Sequence, residues 1–170
     1  VADHPEPAGP SWAFARGTMA GRYELQELLG RGSFGAVYRA ADTDNGDQVA
    51  VKFLDMLRDG NALERFQTLG QKLVSLEDET ICRVRDYGVI RFSYFYLVSD
   101  LVRFPGGATC NLHHYRTRYG GEDGHVAESH VRKVGLLLLS ALSAAHARDI
   151  LHGNLKPTNI LFDCVGTHDG

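Results

Sequence analysis

The sequence predicts an α+β fold: a five-stranded antiparallel sheet with one helix inserted after its third strand, then a mainly helical part. Three observations predict it. Short runs rich in branched and aromatic residues, bounded by glycine and Asx-rich turns, recur between Tyr23 and Val102. One stripe of apolar residues at spacings of three and four, Leu63, Phe66, Leu69, Leu73 and Leu76, interrupts them. A long apolar segment free of proline, from about Glu128 to Arg148, follows them.

The elements follow in order. Residues 1–18 carry Pro5, Pro7 and Pro10 and read as a disordered, proline-rich tail, with folded structure expected from Met19. Tyr23–Leu29 reads as a strand that runs into the glycine cluster Gly30-Arg31-Gly32-Ser33-Phe34-Gly35, and Ala36–Ala41 as the returning strand. The turn Asp44-Asn45-Gly46-Asp47 leads into a third strand, Gln48–Leu54. A helix is expected over about Asn61–Leu76, then strands over Arg83–Val89 and Tyr94–Val102. The helix of Glu128–Arg148 precedes a loop at Asp149–Thr158 and a short strand at Asn159–Asp163. Residues 19–102 thus hold the expected strands and the inserted helix, and 103–170 the mainly helical part.

Bulk properties exclude several classes. With 44% hydrophobic and 23% charged residues the chain is of ordinary globular composition. A net charge of −3 and a pI near 6.2 argue against a nucleic-acid or membrane-surface partner. The three cysteines, Cys82, Cys110 and Cys164, stand apart, with neither disulfide nor zinc spacing, and read as reduced thiols of a cytoplasmic protein. The pair His113-His114 lacks carboxylate or cysteine partners at ligand spacing, so a metal site is not expected there. Residues 1–10 hold no apolar signal segment, and the run Val134–Ala147 is too short to span a bilayer.

Three motifs carry chemistry. Gly30, Gly32, Gly35 and Val37 spell G-x-G-x-x-G-x-V at a hairpin, where glycine lets the backbone approach a phosphate and donate N–H groups. Alone this is ambiguous with a structural glycine turn, and a strand rather than a helix follows it, which excludes a dinucleotide-binding fold. Val49-Ala50-Val51-Lys52 sets a lysine in an apolar strand, either a solvated edge residue or a phosphate ligand beneath the hairpin. His152-Gly153-Asn154-Leu155-Lys156-Pro157-Thr158-Asn159-Ile160-Leu161 is the third.

In this order and spacing the three resemble the eukaryotic-type Ser/Thr protein kinase family over about residues 22–166. The resemblance implies a protein kinase-like fold with a complete N-lobe and only the first part of the helical C-lobe. It implies ATP as ligand: Gly30, Gly32, Ser33, Phe34 and Gly35 over the phosphates, Lys52 on the α- and β-phosphates, Val37 and Ala50 above the adenine and Leu161 below it. Ser99 falls at the gatekeeper position, and Asp100 to Val102 would offer backbone groups to the adenine edge. Lys156 would neutralise the transferring phosphoryl group, and Asn159 would hold magnesium.

The chain departs from the family where chemistry is done. Asn154 stands where the family has the aspartate that accepts the substrate proton; an amide cannot take a proton, and losing a positioned base costs roughly 10²–10⁴ in rate. Gly153 replaces the arginine that reads a phosphorylated activation loop. Leu69 falls where the helix usually presents a glutamate to the lysine. The second magnesium ligand belongs to an Asp-Phe-Gly motif, and Asp169-Gly170 comes too early to be it. The resemblance therefore implies a pseudokinase-type module that binds ATP, magnesium only weakly, and a protein partner. An active Ser/Thr kinase fragment and a kinase-like domain without nucleotide are the alternatives. The leucines at 136–139 and 142 are expected to need cover, so the chain is expected to continue or to be completed by another chain.

Overall fold

A computed structural model describes residues 14–32, 35–54, 61–90, 94–103, 110–119 and 125–162. Its larger sheet contains β1 (Met19–Ala20), β2 (Tyr23–Gly32), β3 (Gly35–Asp42), β4 (Gln48–Leu54), β5 (Val84–Ile90) and β6 (Tyr94–Asp100) in the antiparallel order β1-β2-β3-β4-β6-β5. These are the five expected strands and a two-residue edge strand beside them. Helix α1 (Ala62–Val74) lies between β4 and β5.

Alternation gives the sheet two unlike faces. Along β4, Val49, Val51 and Phe53 are buried, Ala50 is half-buried and Lys52 is exposed. The buried set joins Tyr23, Leu25, Ala36, Tyr38, Ala40, Tyr96 and Val98 in the main core. Phe14 belongs to it too, 7% exposed, its ring centroid 4.3 Å from that of Phe53 and its N–H donating to the Tyr38 hydroxyl at 3.1 Å. Folded structure therefore begins before the expected Met19, because an aromatic side chain inside the tail fills a hole in the sheet's apolar face. Gly17 and Thr18 continue this by backbone bonds to Leu25. Residues 1–13 of the expected tail lie outside the described residues.

The other face is set by pairing. Gly30 lies opposite Val37, Val37 opposite Lys52, and Lys52 opposite Leu97, so these four share one face. Helix α1 packs on that same face, since Phe66 stacks on Phe95, two residues from Leu97, with centroids 4.6 Å apart. The leucine stripe is only partly the buried one. Ala62, Phe66 and Gly70 are buried, whereas Leu63 is exposed. Gly70 explains the rotation: a Cβ there would lie 2.5 Å from the Tyr87 ring, so the helix approaches β5 along its glycine.

The second part holds β7 (Cys110–Asn111), α2 (Leu112–Tyr119), α3 (Glu128–His146) and β8 (Leu161–Phe162), with β7 paired to β8. The expected strand at Asn159–Asp163 is shorter, preceded by a 3₁₀ turn at Pro157–Asn159. Helix α2 lies in a stretch for which the sequence gives no expectation, and the Asn111 carboxamide caps it by accepting the His114 N–H at 2.9 Å. A small core of Leu76, Ala145 and Ile150, with Leu73 and Ile81 against it, joins this part to the end of α1. Elsewhere α3 is largely open: Leu136 and Leu139 are 62% and 65% exposed, Val134, Leu138 and Leu142 are half-buried, and Ala145 is its one buried residue. Among the described residues no helix is long and apolar enough to cross a membrane, and no group of His, Cys, Asp and Glu is placed to hold a metal.

Candidate functional site

The glycine hairpin ends in Gly32 paired with Gly35. Ser33 and Phe34, expected over the phosphates, lie outside the described residues. Gly35 has φ 137° and its missing Cβ would sit 1.8 Å from the Phe53 carbonyl oxygen, so no other residue fits there. At Gly30 and Gly32 a Cβ would meet nothing within 4 Å, which leaves the backbone open in that direction. Below the hairpin come Val37, half-buried, and Lys52. Ala50 lies between Arg39 and Ser99 in the next cross-strand row.

Lys52 has no carboxylate partner among the described residues. Helix α1 lies on its face; Leu69, expected at the glutamate position, is half-buried, and Glu64 is exposed near the helix start. Although the Lys52 side chain reaches solvent, the atoms packed around it partly desolvate the ammonium and lower its pKa, and the like charge of Lys156 lowers it further. His152 is lowered as well, first by burial and then by Lys52. The fold thus brings Lys52 from β4 near His152 and Lys156 from the loop after α3, and among the described residues no ion pair balances the two lysines. Two like charges without a described counter-ion favour an anion between them. His152 was read only as part of a motif; no local signal puts it beside Lys52, because the contact spans the two parts of the chain.

The loop itself is ordered by its own polar groups. Gly153, at φ 68°, turns the chain left-handed, and the His152 Nδ1 accepts the Asn154 N–H at 3.2 Å. The Asn159 Nδ2 donates to the Asn154 carbonyl at 2.8 Å, tying the two residues that the sequence singles out. With its amide nitrogen so engaged, Asn159 has one neutral oxygen left for a cation. Magnesium prefers carboxylates in octahedral geometry, so the described residues fit it poorly. Leu161, expected beneath the adenine, pairs with Asn111 and is 41% exposed.

At the end of β6, Asp100 is engaged on every side. Its carboxylate accepts from Arg85 Nε at 2.5 Å, and Arg85 also reaches Asp47 at 2.6 Å. Its N–H donates to the Arg83 carbonyl at 3.0 Å. Its own carbonyl accepts from the Ser99 hydroxyl at 3.3 Å and the Cys82 thiol at 3.4 Å. Among the described residues no hydrogen bond involves the backbone of Val102, which is half-buried.

A sheet carrying a glycine hairpin over a lysine, joined to a loop with this asparagine tie, matches the family model described as the protein kinase domain over residues 23–167. The chain belongs to the protein kinase family. It is 33% identical over 155 residues to the serine/threonine-protein kinase PknA of Mycobacterium tuberculosis, covering 88% of this chain and 34% of that protein. It is 32% identical over 163 residues to CBL-interacting protein kinase 19 of Oryza sativa subsp. japonica, covering 86% and 27%. The crystal structure of the Mycobacterium tuberculosis PknI kinase domain shares its fold, with a TM-score of 0.76 and 22% identity, over 91% of this chain and 60% of that one. The chain therefore spans about a third or less of these curated relatives and about three-fifths of the solved kinase domain.

Proposed function

We propose that this chain is the ATP-binding part of a kinase domain whose phosphoryl transfer is impaired, and that it works by binding a protein partner. One observation carries the reading. Asn154 is held by His152 and Asn159 inside an ordered loop, so the base position is kept in place while its chemistry is not. An amide there can hydrogen-bond a hydroxyl but cannot take its proton.

Binding needs less. The open hairpin at Gly30 and Gly32, the face of Val37 and Ala50, and the unbalanced Lys52 and Lys156 supply phosphate and base contacts without a metal. Asn159 alone is a weak magnesium ligand, so ATP is taken with little help from magnesium. An exposed Cys82 thiol suits the reducing cytoplasm.

A second reading, an active Ser/Thr kinase, is favoured by the same ordered loop, because phosphoryl transfer through a loose transition state depends on positioning more than on proton removal. Titration of ATP by calorimetry, with magnesium and with chelator, tests the first. Affinities equal within about threefold are expected. A tenfold or greater magnesium requirement, about 1.4 kcal/mol, would contradict it.

A further inference from the structure

We propose that the cleft binds purine nucleotides without reading the 6-amino group of adenine, because Ser99 and Cys82 already occupy the acceptor that would read it. The inference rests on the nucleotide-binding reading and concerns which base that site selects.

Asp100 follows Ser99 at the end of β6, with Asp100 opposite Val49 and Ser99 opposite Ala50 of β4; on the nucleotide-binding reading, a base stacked on Ala50 would present its edge there. An amino group at the purine 6-position needs an acceptor, and the Asp100 carbonyl is the backbone acceptor at that place. A carbonyl oxygen has two lone pairs. Here the Ser99 hydroxyl approaches it at 3.3 Å and the Cys82 thiol at 3.4 Å. The residue cannot turn to offer another group. Its N–H is held by the Arg83 carbonyl at 3.0 Å and its carboxylate by Arg85 at 2.5 Å. The peptide edge is zipped onto the segment 82–85, and a 6-amino donor must displace a donor already present. Such an exchange replaces one hydrogen bond with another and gains little. Affinity then comes from the ring faces, the Val102 backbone and the phosphates, which all purine nucleotides with an N1 acceptor share.

The test compares ATP with the triphosphate of unsubstituted purine riboside, which keeps N1 and loses only the 6-amino group. In the full-length protein the two are expected to bind within about threefold of each other. In the variant S99A/C82A the carbonyl is freed, and ATP is expected to be preferred by about tenfold. Cys82 is exposed, so C82A alone supplies a smaller shift in the same direction if the double variant fails to fold. A preference for ATP of tenfold or more in the unaltered protein overturns the inference while leaving nucleotide binding intact. A ratio unmoved in both variants also overturns it. Binding of neither triphosphate takes down the nucleotide reading and this inference together.

Discussion

Among the described residues, the sheet lobe and the helical part of this chain are packed to very different degrees. The lobe buries Tyr23, Leu25, Val49, Val51, Phe53, Phe66 and Val98 almost wholly, with Phe14 closing its apolar face. In the helical part, α3 buries Ala145 and leaves Val131, Leu136, Leu137 and Leu139 exposed. The groups expected to bind ATP sit on the closely packed lobe, at the hairpin, Ala50 and Lys52. Those expected to do chemistry, Asn154, Lys156 and Asn159, sit on the sparsely packed part. The proposed binding groups thus rest on closely packed strands, and the proposed catalytic positions on a loop with little buried packing among the described residues.

Core substitutions break that comparison most sharply. Phe66→Ala removes a ring wedged between Tyr87 and Phe95 and should cost about 3–5 kcal/mol in denaturant unfolding. Leu139→Ala on this chain should cost within about 0.5 kcal/mol, since its side chain is exposed. Equal losses would mean that α3 is packed after all.

Lys52 separates binding from stability. Its pKa is lowered in the fold, so the folded state disfavours its charge at neutral pH, and removing that charge does not weaken the fold. Lys52→Met should leave the melting temperature unchanged or higher, yet lose about 10- to 100-fold in ATP affinity, the worth of a charge-assisted hydrogen bond. A lower melting temperature would reveal a partner for the ammonium.

His152 gives the smallest and most diagnostic effect. Its folded pKa lies below the ordinary 6.5, so the unfolded chain binds more protons and stability declines as pH drops through that value. A bound triphosphate supplies the opposite charge, raises this pKa and draws a proton in, so His152 should make affinity rise as pH falls. Between about pH 8 and pH 6 the affinity of unaltered protein should gain a few-fold over that of His152→Gln, with the titration of ATP itself cancelling in the comparison. Parallel pH profiles would place His152 away from the phosphates.

Much of this was legible in the sequence, and the reasons for the remainder are physical. Alternation along Gln48–Leu54 fixed that strand and the exposure of Lys52 on its far side. Helix α1 was legible from its stripe, but leucines marked the face too far round, because Gly70 lets the backbone itself approach Tyr87. Helix α2, reading Leu-His-His-Tyr-Arg-Thr-Arg-Tyr, has no apolar stripe, and only the capping Asn111 announces it. Phe14 was hidden because two aromatics, Trp12 and Phe14, in a proline-rich tail are too few to set a period. At the site the motif residues were legible one by one. The encounter of Lys52 with His152 and Lys156, and the closing of Asp100 by Cys82 and Arg85, were not, since both are contacts between segments distant in sequence.

The central claim is that the base position is retained in form and lost in function. The measurement that tests it most directly is the rate of phosphoryl transfer to a protein substrate by the full-length protein and by its Asn154→Asp variant, each saturated with ATP. The account predicts a rate about 10²–10⁴ higher in the variant at similar ATP affinity. Equal rates, or a faster unaltered protein, would contradict it and show that Asn154 serves transfer as it stands.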